Sequence, residues 1–415
     1  MPQDHAPQNA TGSNHAARAP LAAKAREKME QMNVEAAPLN IWLRTWANAP
    51  SQKPWFTHTA LEAAGEMAQG KVAAGQMKAK PHMWKWREIS PYLDRIAQIA
   101  ATSDVPPVEF AERQQFLLTN PGLNGRLQVA STIRCAVSIY NPGDLARAHL
   151  HTPNASRTIL SETGGYTNVE GERCEAVRGD LILTPTGAWH DHGNDGNKPV
   201  VWIDTLDWPI LEFLDCIWLD EDMPAAMTDP KANVPIQHTV HASGTSQRLY
   251  AHGGMLPTFV SHNRGIGRGT SPYIHFRGAD IRATLDGLKS QAGDPYEGLP
   301  IQFVNPANGA PLFTTLGFGA QMLRAGEETR LKRETSNVVY VVIEGRGQTE
   351  IAGKTYDWQE NDIFVVPNYL WRRHVNNSAK DAVLYTMTDV PLLDKIGHYR
   401  AQGRGKDGKV EQLVA

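Results

Sequence analysis

The sequence predicts a mainly β protein, two barrel-like units of short antiparallel strands behind an α-helical leader, and three observations carry that expectation. Beyond Pro121 the chain runs in short β-type stretches broken by Gly, Pro and Asn, the texture of antiparallel sandwiches and barrels. The same layout returns from about Ile301, which marks an internal duplication. Between Ile41 and Gln98, by contrast, apolar residues fall at three- and four-residue spacings, as amphipathic helices require.

Taken in order, residues 1–36 are rich in Ala, Gln, Asn and Pro, and are expected to form a disordered tail running into one polar helix. Residues 37–120 make the helical N-terminal region, in which PHMWKWREISPYL reads as an extended segment that lets Pro91 open a helix. Residues 121–225 form the first β unit, with TIRCAVSIYN, RTILSET, DLILTP and PVVWIDTLD as strands. Residues 226–300 are a mixed linker with a helix in GADIRATLDGLKSQ. Residues 301–395 form the second β unit, through NVVYVVIEG, DIFVVP and AVLYTMTD, and 396–415 a C-terminal tail.

The composition excludes several function classes. A 415-residue chain has length for about two or three domains. It contains no apolar run long enough to cross a bilayer. With 41 basic and 44 acidic residues it lacks the positive face that nucleic acid demands, so the expected partner is a small molecule. Its cysteines, Cys135, Cys174 and Cys216, form neither a disulfide framework nor a metal knuckle. The opening MPQDHAPQNATGSNHAARAP lacks the order of a secretory signal, so a cytoplasmic location is expected.

The chemistry concentrates in two short elements. His149 and His151, two apart in AHLHT, project from one face of a strand, and His190 and His192 follow LILTPTG in WHDHGN. Three neutral imidazoles on one side of a metal ion leave the other side open and its charge uncancelled, which suits an anionic chelating ligand. An isolated His-x-His is equally a pair of polar residues on a solvated strand, so the surrounding frame matters. That frame is Gly143, His149-x-His151, then Gly179, Pro185-x-Gly187, His190 and Asn194.

This order of glycines, proline, histidines and asparagine resembles the two motifs of the cupin superfamily, which implies a double cupin of two jelly-roll barrels. Asn154, Ala155 and Ser156 stand where oxalate-degrading cupins carry a Glu ligand. A three-His site without that carboxylate, in a double cupin with a helical leader, is similar to the gentisate, salicylate and 1-hydroxy-2-naphthoate 1,2-dioxygenases. Echoes of that family include WKWREISPYL, AERQQFLLTNPGL, AHLHTPNASRTIL, GDLILTPTGAWHDHGNDG and DPYEGLPIQFVNPANGAP.

The resemblance implies an Fe(II) cofactor, a salicylate-like aromatic acid and dioxygen as substrates, and a homotetramer. It places the metal on His149, His151 and His190, and assigns Arg113 and Arg157 to the substrate carboxylate and oxygen-derived charge. His192 falls beside the substrate hydroxyl, with Asp204 as a supporting carboxylate. Guanidinium suits a bidentate carboxylate clamp, although surface ion pairing would explain the same arginines. Departures are informative: Leu150 replaces an arginine between the ligands, and the pocket strand reads Arg134, Cys135, Ala136, Val137 and Ser138. Arg134, Ala136 and Ser138 share the pocket face, so Arg134 either contacts an extra ring substituent or pairs with a protein acid.

In the second unit, aligning Gly326 on Gly143 and Asp362 on Asp180 puts Lys332, Glu334 and Arg372 at the ligand positions and His374 at that of His192. That unit is expected to bind no metal. IAGKT reads as a hairpin turn and NRGIGRG as a loop, since neither has the strand and helix that a nucleotide site needs. Two rival functions stay open at this point: a cupin isomerase or decarboxylase using Mn or Zn, and a non-enzymatic ligand-binding bicupin.

Overall fold

A computed structural model describes residues 23–43, 78–102, 114–228 except 163, and 238–414 except 252, 254, 263, 267 and 268. Two antiparallel sandwiches form its body, each built of two sheets. The larger sheet of the first runs Ile41–Leu43, Gln115–Leu118, Arg134–Tyr140, Val200–Leu206, Ala155–Ile159, Leu181–Thr184 and His275–Phe276. Its partner sheet runs Leu219–Asp220, Leu145–His151, His190–Asn194, Gly165–Val169 and Glu172–Ala176.

The second sandwich repeats the order: Leu299–Phe303, Gly317–Leu323, Ala382–Thr388, Val338–Glu344, Ile363–Val366 and His82–Trp84. The expected duplication is therefore present in topology. Each large sheet is also finished by a strand preceding the other sandwich: His82–Trp84 closes the second, and His275–Phe276 closes the first. A helix follows each closing strand, Trp86–Ala101 and Gly278–Leu288. Asp362 Oδ1 accepts Trp86 N–H and Asp180 Oδ1 accepts Gly278 N–H, both at 2.7 Å.

Strands such as Arg134–Tyr140 and Gly317–Leu323 are buried along their whole length, and the packing explains why. One face of each large sheet turns into its own sandwich. The other packs against the neighbouring sandwich, where Val137, Ile139, Ile159, Val339, Val341, Val383 and Tyr385 join one core. Residues 135, 137 and 139 therefore pack outward while 134, 136 and 138 face inward. Reciprocal polar ties cross the joint: Thr315 donates to Asp207 of the first unit, and Thr132 donates to Asp389 of the second.

Two sequence expectations need correction. The C-terminal stretch is no tail, because Ala401–Arg404 pairs with Lys332–Glu334 and with Val410–Val414, extending the second sandwich's smaller sheet. Alternating Ala401 and Gly403 inside with polar neighbours outside suits an edge hairpin, a pattern too short to read from composition. In the described part of the N-terminal region, Ile41–Leu43 and Gln115–Leu118 are strands where helix was expected, while the helical stretch expected at residues 60–75 lies outside the described residues. These strands and His82–Trp84 are recruited by sheet edges, where tertiary pairing overrides local periodicity. Within residues 1–36, Ala23–Ala36 is a helix docked through Met29 and Met32, while residues 1–22 lie outside the described residues. Among the described residues, no helix is long and apolar enough to cross a membrane.

Candidate active site

The smaller sheet of the first sandwich supplies the histidines and the larger sheet the charged groups facing them. His149 sits directly opposite His190 on paired antiparallel strands, and His151 follows on the same face. Ring centroids are 4.3 Å apart for His149 and His190 and 4.8 Å for His151 and His190. The turn before His190 explains the Pro-x-Gly of the motif. Gly187 has φ 66°, donates to His151 O at 2.9 Å, and a Cβ there would meet the Ile266 side chain at 2.1 Å. Asn194, which ends the motif, is a lock: its amide donates to Tyr140 O and Lys198 O.

Hydrogen bonds orient the rings. Nδ1 of His149, His151 and His190 lies 2.7–2.8 Å from the main-chain oxygens of Arg147, Pro153 and Ala188, respectively. A carbonyl can only accept, so each Nδ1 carries hydrogen and each Nε2 presents a lone pair. His190 Nε2 is buried without a partner. Burial disfavours the charged forms of His151, His190 and His192. It pulls His151 down to about 3, assisted by His149, and pulls His190 well below its ordinary value. Neutral imidazoles with inward lone pairs fit a divalent metal ion.

The nitrogens of His149, His190 and His192 also approach within 4.8 Å of one another. His192, however, has both nitrogens engaged. Arg157 Nη2 donates to Nε2 at 2.6 Å, which leaves Nδ1–H facing Thr167 Oγ1 at 3.2 Å. A guanidinium has no lone pair to offer, so His192 is neutral and accepts. His151, the third ligand expected from the sequence, lies outside that group of three, with its ring 4.8 Å from that of His190 and 5.7 Å from that of His149.

Arg157 is buried between His192, Thr184 and Asp204; its Nε lies 3.3 Å from Asp204 Oδ1, too poorly aligned for a hydrogen bond but close enough to pair charges. Asp204 Oδ2 accepts from Ser138 Oγ at 2.6 Å and from Gln115 Nε2 and Trp202 Nε1, each at 3.2 Å. Burial lifts the Asp204 carboxyl above its ordinary range, opposed first by Arg157 and then by these donors. The chain Asp204–Arg157–His192 thus spans the sandwich interior and ends beside the imidazole cluster.

The other expected site residues separate into three groups. Ala136 is buried opposite Asp204 and joins Leu117 and Leu127 in a small apolar wall. Arg113 lies outside the described residues. Arg134, for which two readings were open, has protein partners. Its Nε donates to Leu127 O at 2.9 Å, its Nη2 lies 3.5 Å from Glu212, and its guanidinium covers the Trp208 ring at 4.6 Å. The protein acid and aromatic face therefore occupy it, which was the other reading of that residue. Leu150 points away from the cluster into Trp189 and Met227, so an apolar contact replaces a cation outside the pocket.

Sequence reasoning missed Gln115, Thr167 and Trp202. Gln115 stands in AERQQ, two residues after Arg113; Thr167 has its counterpart Thr349 beside His374 in the second unit. Strand pairing was needed to see either.

A cupin domain model matches residues 136–206. The chain is 33% identical to a 5-aminosalicylate 1,2-dioxygenase of Comamonas sp., over 81% of this chain and 84% of that protein. It is 34% identical to a gentisate 1,2-dioxygenase of Ralstonia sp., over 79% and 86%. A crystal structure of salicylate 1,2-dioxygenase from Pseudoaminobacter salicylatoxidans with gentisate superposes with a TM-score of 0.69 at 26% identity, covering 88% of this chain and 98% of that one.

Proposed function

The chain belongs to the bicupin family of gentisate and salicylate 1,2-dioxygenases and is an aromatic ring-cleaving dioxygenase; from this premise we propose that it opens salicylate-like acids, 5-substituted ones or gentisate included, using Fe(II). His149, His151 and His190 would hold the ion through Nε2, and the observation that carries this is the buried, unpartnered Nε2 of His190 among rings oriented by main-chain carbonyls. Ferrous iron would supply there a Lewis-acidic centre for an anionic oxygen substrate and for dioxygen. The scissile bond joins the carboxyl-bearing and hydroxyl-bearing carbons. Both oxygen atoms enter the open-chain product, so the ring supplies all the electrons and no nicotinamide is required.

The chain's own residues do the rest. Arg157 offers its guanidinium to the substrate carboxylate and to negative charge that develops during cleavage, while Asp204 holds it in line. A carboxylate that takes over Arg157 Nη2 releases His192 Nε2, which then accepts the proton of the substrate hydroxyl. Ala136 with Leu117 and Leu127 gives the ring an apolar wall. Arg113 remains the second proposed clamp for the carboxylate. A cytoplasmic homotetramer completes the reading, supported by the family resemblance.

The test is oxygen uptake by anaerobically iron-loaded protein with salicylate, 5-substituted salicylates, gentisate and 1-hydroxy-2-naphthoate, followed by product spectra. Stoichiometric uptake with loss of the aromatic absorbance is expected for at least one of them. Absence of uptake throughout the panel would sink the proposal.

A further inference from the structure

We infer that Gln115 is a positioning residue for the Asp204–Arg157–His192 chain, supplying from a neighbouring strand the amide that the pocket strand lacks at Ser138. This rests on the function proposed above. The duplication inside the molecule shows the substitution. With Gly326 on Gly143, Ser138 corresponds to Gln321, a buried residue on the inward face of the second sandwich. Ser138 pairs in register with Gln115, whereas Gln321 pairs with Pro300, which has no amide side chain. At this register one strand carries the amide in each unit, and it is a different strand.

The contacts show what the first unit does with it. Gln115 Nε2 donates to Ser138 Oγ at 3.1 Å and to Asp204 Oδ2 at 3.2 Å, and Ser138 in turn donates to the same oxygen at 2.6 Å. A serine alone spans only one of these links. With Oδ2 pinned by Gln115, Ser138 and Trp202, Oδ1 is left to face Arg157 Nε. Removing the amide frees the carboxylate to rotate and the guanidinium to drift from the line that ends at His192.

Gln115→Met keeps the side-chain volume and removes both donor contacts. It is expected to lower kcat/KM for the best salicylate about tenfold, with a modest drop in Tm and the fold kept, because the buried Asp204 carboxylate loses one of three donors. Gln115→Ala with Ser138→Gln returns an amide to the pocket strand and is expected to recover most of that loss, which a merely structural glutamine would not allow. A Gln115→Met enzyme within twofold of wild type, or a double variant no better than Gln115→Ala alone, would overturn the inference. If the wild type oxidises no salicylate, the functional proposal fails, and crystal structures of the variants still decide the role of Gln115. The Arg157 Nε to Asp204 Oδ1 separation, 3.3 Å here, should exceed about 4 Å in Gln115→Met and return in the double variant. An unchanged separation would refute the positioning role.

Discussion

His149 faces His190 across paired strands in the first sandwich, and at the same register of the second Lys332 faces Arg372. Thr167 and Thr349 contact Nδ1 of His192 and His374 alike, so the two frames superimpose down to single side chains. What differs is how the buried polar groups are neutralised. In the second unit Arg372 reaches Glu334 at 2.6 Å, Glu297 at 2.8 Å and Tyr340 Oη at 2.7 Å, while Lys332 reaches Glu297 at 2.7 Å. Two cations and two carboxylates satisfy one another. Tyr340, at the position of Arg157, stacks on Phe364 with ring centroids 4.7 Å apart, filling the interior. In the first unit these positions are imidazoles, the buried Nε2 of His190 has no protein partner, and Arg157 and Asp204 stand on the sheet opposite. The comparison teaches that the fold tolerates either solution, and that an interior ready for a metal is one left uncompensated.

The largest expected effect breaks the first centre. His190→Ala should abolish iron retention, read by elemental analysis, and lower kcat by at least about a thousandfold, since it removes the donor lying between the other two. Wild-type protein should hold close to one iron per chain, because the second unit offers no lone-pair cluster.

Next comes the compensated centre. Arg372→Met should destabilise the protein by about 3–5 kcal/mol in chemical denaturation without changing metal content, as it leaves Glu297 and Glu334 buried with one cation fewer. The same network sets an acid limit. Burial would raise the Glu297 carboxyl, but Lys332 and then Arg372 overcome it and hold the group down at about 2, against 4.5 unfolded. A depressed folded value means that this stabilisation is complete above pH 4.5 and is lost as pH falls toward 2. Unfolding midpoints should drop across that window, and less steeply in Glu297→Gln.

A smaller change sharpens the comparison at Arg157. Arg157→Lys keeps the charge but loses the planar fork and should cost about a hundredfold in kcat/KM, with iron content retained. The smallest effect is expected at Arg134, which its own acid and aromatic neighbours occupy. Arg134→Ala should change turnover of plain and 5-substituted salicylates by the same factor, and a selective loss on the substituted ones would return it to the pocket.

Much of this was legible in the chain because spacing alone constrains it. His149 and His151 share a strand face by the period of two, Pro185-x-Gly187 signals the turn that aims His190, and the recurring glycines reveal the duplication. The hairpin Ala401–Val414, the strand swap of His82–Trp84 and the link from Gln115 to Asp204 were not legible. Each depends on pairing between segments far apart in sequence, whose local pattern is short or ambiguous.

The amino-acid order by itself determined which groups could hold a metal and that two β units would be built on one plan. Side-chain chemistry and backbone periodicity are local properties. Only the tertiary structure decided that His192 is spoken for by Arg157, that Arg134 pairs with Glu212 and Trp208, and that Lys332 and Arg372 are balanced by Glu297 and Glu334. Those outcomes turn on distances of a few ångströms between separate strands in a low-dielectric interior, where the nearest partner determines whether a polar group remains free to bind.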